Sequence, residues 1–248
     1  GYLMDSVRPK SWYTERPGRR IAEEQWPSQT IGTAVFHLRD DKGLSTQPSH
    51  AFSHLISSPQ DCGMMGGEYC AIWLGPEMPG DQRRDDALSV CYDMIVDRPI
   101  DIVGTPLITL KLTGDRPVAM VAVRLCDVHP DGASTRITYG VFNLCHRNSH
   151  AVPEALEPGK SYEISFKLDD IAYRLPAGHK LRVAVSSSYW PMVWPSPEPV
   201  SLTIQSGTIA VPSRAMAEGD EWTFAEPEAA SPWQLETLRD SANSRSIV

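Results

Sequence analysis

The fold class is decided by one stretch, Pro117-Val118-Ala119-Met120-Val121-Ala122-Val123-Arg124-Leu125-Cys126-Asp127-Val128. Its positions are mostly apolar, and they lack the strict alternation of a strand with one face in water. Such a run is typical of a central β-strand that is covered on both faces. The sequence therefore predicts a layered β structure with this strand inside it.

The segments around this run alternate between apolar and polar side chains, which is the pattern of strands with one buried face. These segments are 88–94, 108–112, 136–141, 162–168, 181–185 and 200–204. In 136–141 the alternation predicts that Ile137, Tyr139 and Val141 share one face. Arg136 and Thr138 are then expected on the other face.

Turn-forming residues separate these segments, because proline fixes φ and glycine permits positive φ. The turns are predicted at 113–115, 129–132, 157–159 and 176–178. No amphipathic helix of useful length lies between them, although Asp169 and Asp170 suit the start of a short helical turn at 168–173. This order predicts an all-β protein, a β-sandwich or jelly roll rather than a parallel α/β sheet.

Composition divides the chain into three regions within one structural domain. Residues 1–86 form a flank rich in glycine, proline and charge, with long loops and a few edge strands, and 87–212 form the core sandwich. Residues 213–248 are expected to be an extended tail, held to the body by Trp222, Phe224 and Trp233.

Charge limits the classes of partner. The 248 residues carry 23 Lys+Arg against 31 Asp+Glu, a net charge of −8, with no block rich in lysine and arginine. Nucleic acid and anionic membrane surfaces are therefore poor candidates. No run of about 20 apolar residues suggests a membrane-spanning helix, and the N-terminus lacks the apolar run of a secretory signal.

Five cysteines, an odd number without a CxxC pair, suggest neither a disulfide framework nor paired zinc ligands. Reduced thiols in a cytoplasmic protein are the expected state, and a Cys62–Cys70 disulfide is the alternative.

Residues for catalysis or metal binding are not arranged in a recognised motif. There is no glycine-flanked nucleophile elbow, and Ser134 follows a turn that leads into a strand. His146 and His150 have i, i+4 spacing but lie in a polar loop, and the acidic segments 40–43 and 81–86 lack EF-hand spacing and are expected to be solvated loops. The sequence predicts no catalytic, cofactor or metal site.

Aromatic residues support two interpretations. Trp73, Tyr189, Trp190 and Trp194 could stack on sugar rings, as in a free-standing carbohydrate-binding module that uses Trp190 and Trp194. The same tryptophans lie in a proline-spaced connection, 188–197, where they could instead pack against the sandwich or another domain.

Charged residues within strands are the remaining anomaly, since a buried arginine is costly unless a carboxylate pairs with it. Arg124 is expected to pair with an acid such as Asp127 or Asp93. Alternatively Arg124, Asp127 and Arg182 face an adjoining domain.

Several phrases occur in an order that resembles one family. They lie at 123–134, 143–147, 156–159, 176–182 and 190–199, preceded by 13–19 and 22–27. The first begins Val123-Arg124-Leu125-Cys126-Asp127-Val128-His129-Pro130-Asp131-Gly132, and the fourth reads Pro176-Ala177-Gly178-His179-Lys180-Leu181-Arg182. From about Tyr13 to Pro212 the chain resembles the C-terminal domain of the X-Pro dipeptidyl-peptidase (S15) family, with its cocaine-esterase-like (CocE/NonD) and α-amino-acid ester hydrolase members.

This resemblance implies a jelly-roll β-sandwich, likened to galactose-binding domains, that packs against an α/β-hydrolase domain with a Ser-Asp-His triad. Nothing in the chain matches the nucleophile motif, so no triad position can be carried over. The implied role is a non-catalytic domain of a serine hydrolase that acts on esters, amides or X-Pro peptides; it would support the hydrolase domain and shape its substrate pocket or a homo-oligomer interface. Six positions are candidate interdomain or structural polar residues: Arg124, Asp127, His129, Arg147, His179 and Arg182.

Overall fold

The structure, a computed structural model, describes residues 1–70, 77–215 and 219–231. Trp73 and Trp233 lie outside the described residues. The strands, in chain order, are β1 (Tyr2–Asp5), β2 (Gly18–Arg20), β3 (Ile31–Leu38), β4 (Leu44–Ser45), β5 (His54–Ile56), β6 (Val90–Ile95), β7 (Ile100–Gly104), β8 (Leu107–Gly114), β9 (Met120–Val128), β10 (Ser134–Asn143), β11 (Ser161–Lys167), β12 (Ile171–Leu175), β13 (Lys180–Ser186) and β14 (Leu202–Arg214). One short helix, α1 (Arg83–Asp86), and a 3-10 turn at Leu144–His146 complete the described elements. The prediction of an all-β sandwich is confirmed; the jelly-roll topology stays a prediction.

The smaller sheet has four strands in the order β10-β9-β13-β6. Alternate residues of β9 point to opposite faces: Val121, Val123 and Leu125 enter the main core between the sheets. Met120 and Ala122 join a second cluster on the outer face, together with Tyr189. All nine residues of β9 are buried, so the predicted strand covered on both faces is confirmed.

The larger sheet has ten strands, and β14 pairs with four of them, β3, β5, β7 and β8. Residues 208–210 of β14 pair with β8 and with β3 at the same positions, so these two strands lie on its opposite edges. The sequence indicated a strand only over 200–204, whereas β14 continues to Arg214 because Ile209 and Val211 are also buried in the core. The flank 1–86 supplies β1–β5, all of which pair within this sheet.

The predicted face of β10 is wrong in part. Ile137 lies in the core, whereas Tyr139 and Val141 pack on the outer face. The pairing of β10 with β9 shifts register between Arg136 and Thr138, and this bulge adds one residue to the strand. The side chain of Thr138 consequently points towards the other sheet, where simple alternation had placed the side chain of Tyr139.

The predicted helical turn at 168–173 is also wrong. Strand β12 begins at Ile171 and pairs with β7. Tyr173 and Leu175 are buried in the core, and Ile171 packs against it, so the two-residue period of apolar side chains outweighs the helix-start preference of Asp169 and Asp170.

None of the helices in the described ranges is long and apolar enough to cross a membrane.

Replacement of Leu125 by alanine tests the importance of β9. Leu125 is fully buried, so Leu125→Ala should lower the free energy of unfolding by about 2–5 kcal/mol. Leu107→Ala is the matched control, because Leu107 is 38% exposed at the start of β8, and its loss should be less than about half as large. Urea denaturation measures both, and equal losses would contradict the assignment of β9 as the central strand.

Candidate functional site

A polar group at one end of the sandwich brings together three of the predicted residues, Asp127, His129 and His179. Asp127 lies near the end of β9 on the side that faces the other sheet. Its Oδ1 is 2.7 Å from Nδ1 of His179, and its Oδ2 accepts hydrogen bonds from the hydroxyls of Tyr173, at 2.7 Å, and Ser6, at 2.5 Å. We call Asp127, His129, His179, Tyr173 and Ser6 the end cluster. It ties β9 to β12 and to the N-terminal segment.

His129 completes the end cluster from the turn after β9. Its ring lies 4.7 Å from the ring of His179, centroid to centroid, and its Nε2 is 3.1 Å from Oγ1 of Thr135. The Thr135 hydroxyl donates to the carbonyl of Val7, and Arg8 pairs with Asp131 of the same turn. The end cluster and this turn therefore fasten residues 6–8 of the N-terminal segment.

Burial controls protonation in the end cluster. It lowers the pKa of His129, because the charged imidazolium is penalised away from water. It also raises the pKa of Tyr173, which therefore remains a neutral hydrogen-bond donor to Asp127. The His129 ring is consequently favoured in its neutral form.

Arg124, also predicted from the sequence, lies fully buried on the outer face of the small sheet. The residues that cover it include 58–70 and 77–89, which we call the cover segment. Arg124 donates to the side chains of Gln82, at 3.1 Å, and Ser89, at 2.8 Å, and pairs with Asp86 at 3.2 Å. Asp85, 4.0 Å from Arg124, also accepts hydrogen bonds from backbone N–H groups of the cover segment. The buried charge thus holds the cover segment onto the sheet.

Arg182 extends this network across β13. It makes two bonds of 2.7 Å to the carboxylate of Asp93 on β6 and one of 3.0 Å to Asp86. The hydrogen bond with Asp93 is the largest cause of the raised pKa of Arg182. Asp86 therefore lies between two arginines, and Ser134, the first residue of β10, donates to it as well.

The predicted partner of Arg124 is wrong. Asp127 lies three residues along β9 and so on the opposite face, and the oxygens of Asp93 bind Arg182. Asp85 and Asp86 take their place, although 81–86 was expected to be a solvated loop. The sequence did not indicate Asp85 and Asp86 as partners, because they approach Arg124 only after the cover segment has folded onto the sheet. The usable signal was the arginine inside a doubly covered strand, which requires an acid from whatever covers it.

Arg147 holds the loop after β10. It donates to the carbonyls of Leu144 and Glu154 and lies 4.5 Å from the ring centroid of Tyr162. Among the described residues, the hydrogen bonds and ring contact of Arg147 do not reach the end cluster or the Arg124 network. His146 and His150 lie in the same loop with their rings 5.8 Å apart.

The cysteines are all free, without the alternative Cys62–Cys70 bond. Burial raises the pKa of Cys91 to about 12 and raises that of Cys126. These two thiols lie beside the Arg124 network and remain protonated at neutral pH, which makes them poor nucleophiles.

Trp190 and Trp194 are brought together, with ring centroids 5.2 Å apart and planes tilted by 51°. Trp194 is 82% exposed, whereas Trp190 is half-buried. The two rings do not form one flat surface. The carbohydrate-binding alternative stays a prediction.

A groove that sequence reasoning missed lies between β10, β12 and the cover segment. Its volume is about 330 Å³, and its lining includes Tyr13, Tyr69, Met78, Tyr139 and Ile171. We call this the aromatic groove. Because its walls come from four separate parts of the chain, no local pattern could have indicated it.

Comparison with known proteins places these features in a family. The family model described as the X-Pro dipeptidyl-peptidase C-terminal non-catalytic domain matches residues 5–235. The chain belongs to this family. The family match confirms the resemblance to this C-terminal domain that the sequence showed from about Tyr13 to Pro212.

Curated relatives are much longer than this chain. A cocaine esterase from a Rhodococcus species is 29% identical over 121 residues, which are 47% of this chain and 21% of that protein. A putative serine esterase from Mycobacterium bovis is 22% identical over 208 residues, 75% of this chain and 33% of that protein.

Solved structures share the fold. An aminopeptidase from a Thaumarchaeota archaeon has a TM-score of 0.69 at 17% identity, over 80% of this chain and 39% of that one. An α-amino acid ester hydrolase has a TM-score of 0.61 at 18% identity, over 73% of this chain and 36% of that one.

Replacement of Arg124 tests the buried network. Arg124→Met should lower the free energy of unfolding by about 3 kcal/mol, because it leaves buried carboxylates without their cation. Arg116→Met is the control, since Arg116 makes exposed pairs with Asp115 and Glu198, and its loss should stay below about 1 kcal/mol. Chemical denaturation compares the two, and an Arg124→Met protein as stable as Arg116→Met would show that the network does not hold the cover segment.

Proposed function

We propose that this chain supports an α/β-hydrolase domain of the same polypeptide and shapes its substrate pocket or an oligomer interface. The parent protein would be a serine hydrolase acting on esters, amides or X-Pro peptides. Membership of a family of non-catalytic C-terminal domains supports this role, as does the small share of each curated relative that the chain covers.

The observation that carries the proposal is the exposure of large side chains around the aromatic groove. Tyr69, which is 82% exposed, and Met78, which is 40% exposed, line the groove, and Trp12 is 55% exposed. Ser11, next to Trp12, accepts a hydrogen bond from Met78, so these side chains belong to neighbouring segments. Exposed aromatic and methionine side chains in one region are typical of a surface that another protein covers.

Charge around the groove favours a partner with basic groups. Four acids line it, Glu68, Glu77, Asp169 and Asp170, against two arginines, Arg16 and Arg136. Arg136 lies 4.4 Å from the ring centroid of Tyr139 and donates to the hydroxyl of Tyr189. The remaining acidic excess would attract basic side chains on the facing surface of the hydrolase domain.

The end cluster would support the same role by fixing the direction of the N-terminal segment. Ser6, Val7 and Arg8 each bond to residues of the β9–β10 region. Because these three residues are fixed, a hydrolase domain joined to this segment would have little freedom to move relative to the sandwich.

Substitution in the full-length protein tests the proposal. Tyr69→Ala combined with Met78→Ala should lower the thermal unfolding temperature and reduce kcat/KM for ester or X-Pro substrates by about tenfold, a loss of about 1.4 kcal/mol. Leu55→Ala is the control, because Leu55 is an exposed apolar residue of β5 outside the groove lining, and it should change neither quantity. A double variant with unchanged stability and unchanged kcat/KM would sink the proposed contact, and a change in oligomeric mass alone would assign the surface to a second copy of the chain.

A further inference from the structure

The end cluster contains a set of side chains that resembles a metal-ligand set. Asp127, His129 and His179 each offer one ligand atom, and these atoms all lie within 4.8 Å of one another. From these positions we propose that Asp127, His129 and His179 bind one divalent transition-metal ion of the zinc class. The proposal concerns this chain alone and does not depend on a hydrolase domain.

The separations suit one small ion. Oδ1 of Asp127 is 2.7 Å from Nδ1 of His179, and the second carboxylate oxygen, Oδ2, is 3.9 Å from Nε2 of His129. Zinc bonds to oxygen and nitrogen of about 2.0–2.1 Å place tetrahedral ligands about 3.3 Å apart. The two separations, 2.7 Å and 3.9 Å, lie on either side of that value. Side-chain rotations of the order of 1 Å would bring the three atoms around one ion.

Coordination requires a change of tautomer at His179. Its Nδ1 is now within hydrogen-bond distance of Asp127, and this nitrogen can bind an ion only in the neutral tautomer that carries its proton on Nε2. The ion then takes the place of the shared hydrogen between imidazole and carboxylate. The charge of the histidine does not change in this step.

Neighbouring hydroxyl groups are placed as outer-shell partners. Tyr173 and Ser6 donate hydrogen bonds to Oδ2 of Asp127, and hydrogen bonds of this kind orient carboxylate ligands in metal sites. Nε2 of His129 now lies 3.1 Å from Oγ1 of Thr135, and because the Thr135 hydroxyl donates to Val7, this nitrogen would exchange that bond for the ion by moving its proton to Nδ1. Tyr173 and Asp127 are fully buried, so the ligand positions are fixed by packing as well.

The ligand types select the ion. Two imidazoles and one carboxylate suit Zn²⁺, Co²⁺ or Ni²⁺, whereas Ca²⁺ and Mg²⁺ prefer oxygen ligands throughout. His179 is the most exposed of the three side chains, at 15%, and provides the side from which the ion and a water ligand would enter. The bound ion would join β9, the turn after it and the start of β13.

Cobalt binding provides the test, because Co²⁺ in an imidazole site absorbs visible light. The chain is used with Cys70→Ser, since the exposed thiol of Cys70 could bind cobalt itself. Titration should show one bound ion, whose displacement by Zn²⁺ abolishes the absorption, and a higher melting temperature with Zn²⁺ present. His179→Gln should weaken the affinity at least about 100-fold, more than the loss of an outer-shell partner does.

His129→Gln is the second variant, because His129 makes fewer contacts with Asp127 and its loss is less disruptive to folding. It should also weaken cobalt binding. The control is His146→Gln with His150→Gln, which removes the other neighbouring histidine pair and should leave binding unchanged. Absence of cobalt absorption in the parent chain, equal affinity in His129→Gln, or loss of binding in the His146/His150 control would each overturn the proposal.

Discussion

The burial of β9 on both faces is the constraint on which the rest of the molecule depends. One face is covered by the larger sheet. The other is covered by the cover segment, whose regular structure is the four-residue helix α1, and by residues around Tyr189. Arg124 makes this possible because its charge lies on that outer face and binds Gln82, Asp86 and Ser89 of the cover segment. The energetic cost of burying the guanidinium is offset only when these partners are in place. The position of the cover segment, and with it one wall of the aromatic groove, follows from that pairing.

Period-two patterning was sufficient to predict the strands that alternate without interruption, such as β11 and β13, and the doubly covered β9. It failed where geometry departs from simple alternation. The bulge at Ile137 reverses the faces of the rest of β10, and such an insertion leaves no mark in the spacing of apolar residues. The site was harder to predict, because Arg124 and Asp85 are far apart in sequence. Asp127 and His179 were identified as family positions, but only the fold shows that they contact each other.

Family membership and surface chemistry lead to the same account of the molecule. Its buried polar groups bind one another: the Arg124 network attaches the cover segment, and the end cluster attaches residues 6–8. By contrast, Tyr69 and Met78 line the groove that these attachments shape, and both are exposed apolar side chains. Rigid polar attachments beneath an exposed apolar surface suit a domain that supports another domain, since preorganisation lowers the entropic cost of forming the contact.

Hydrogen exchange on the full-length protein tests this account most directly. Backbone amides of residues 68, 69, 77 and 78 would be compared between the full-length protein and this chain alone. The amides of Glu157, Gly159 and Lys160, in a turn that does not line the groove, are the internal control. The account predicts slower exchange at the groove segments in the full-length protein and equal exchange at the control turn. Equal exchange at the groove segments in both proteins would contradict it, because the aromatic groove would then be open to solvent in the full-length protein.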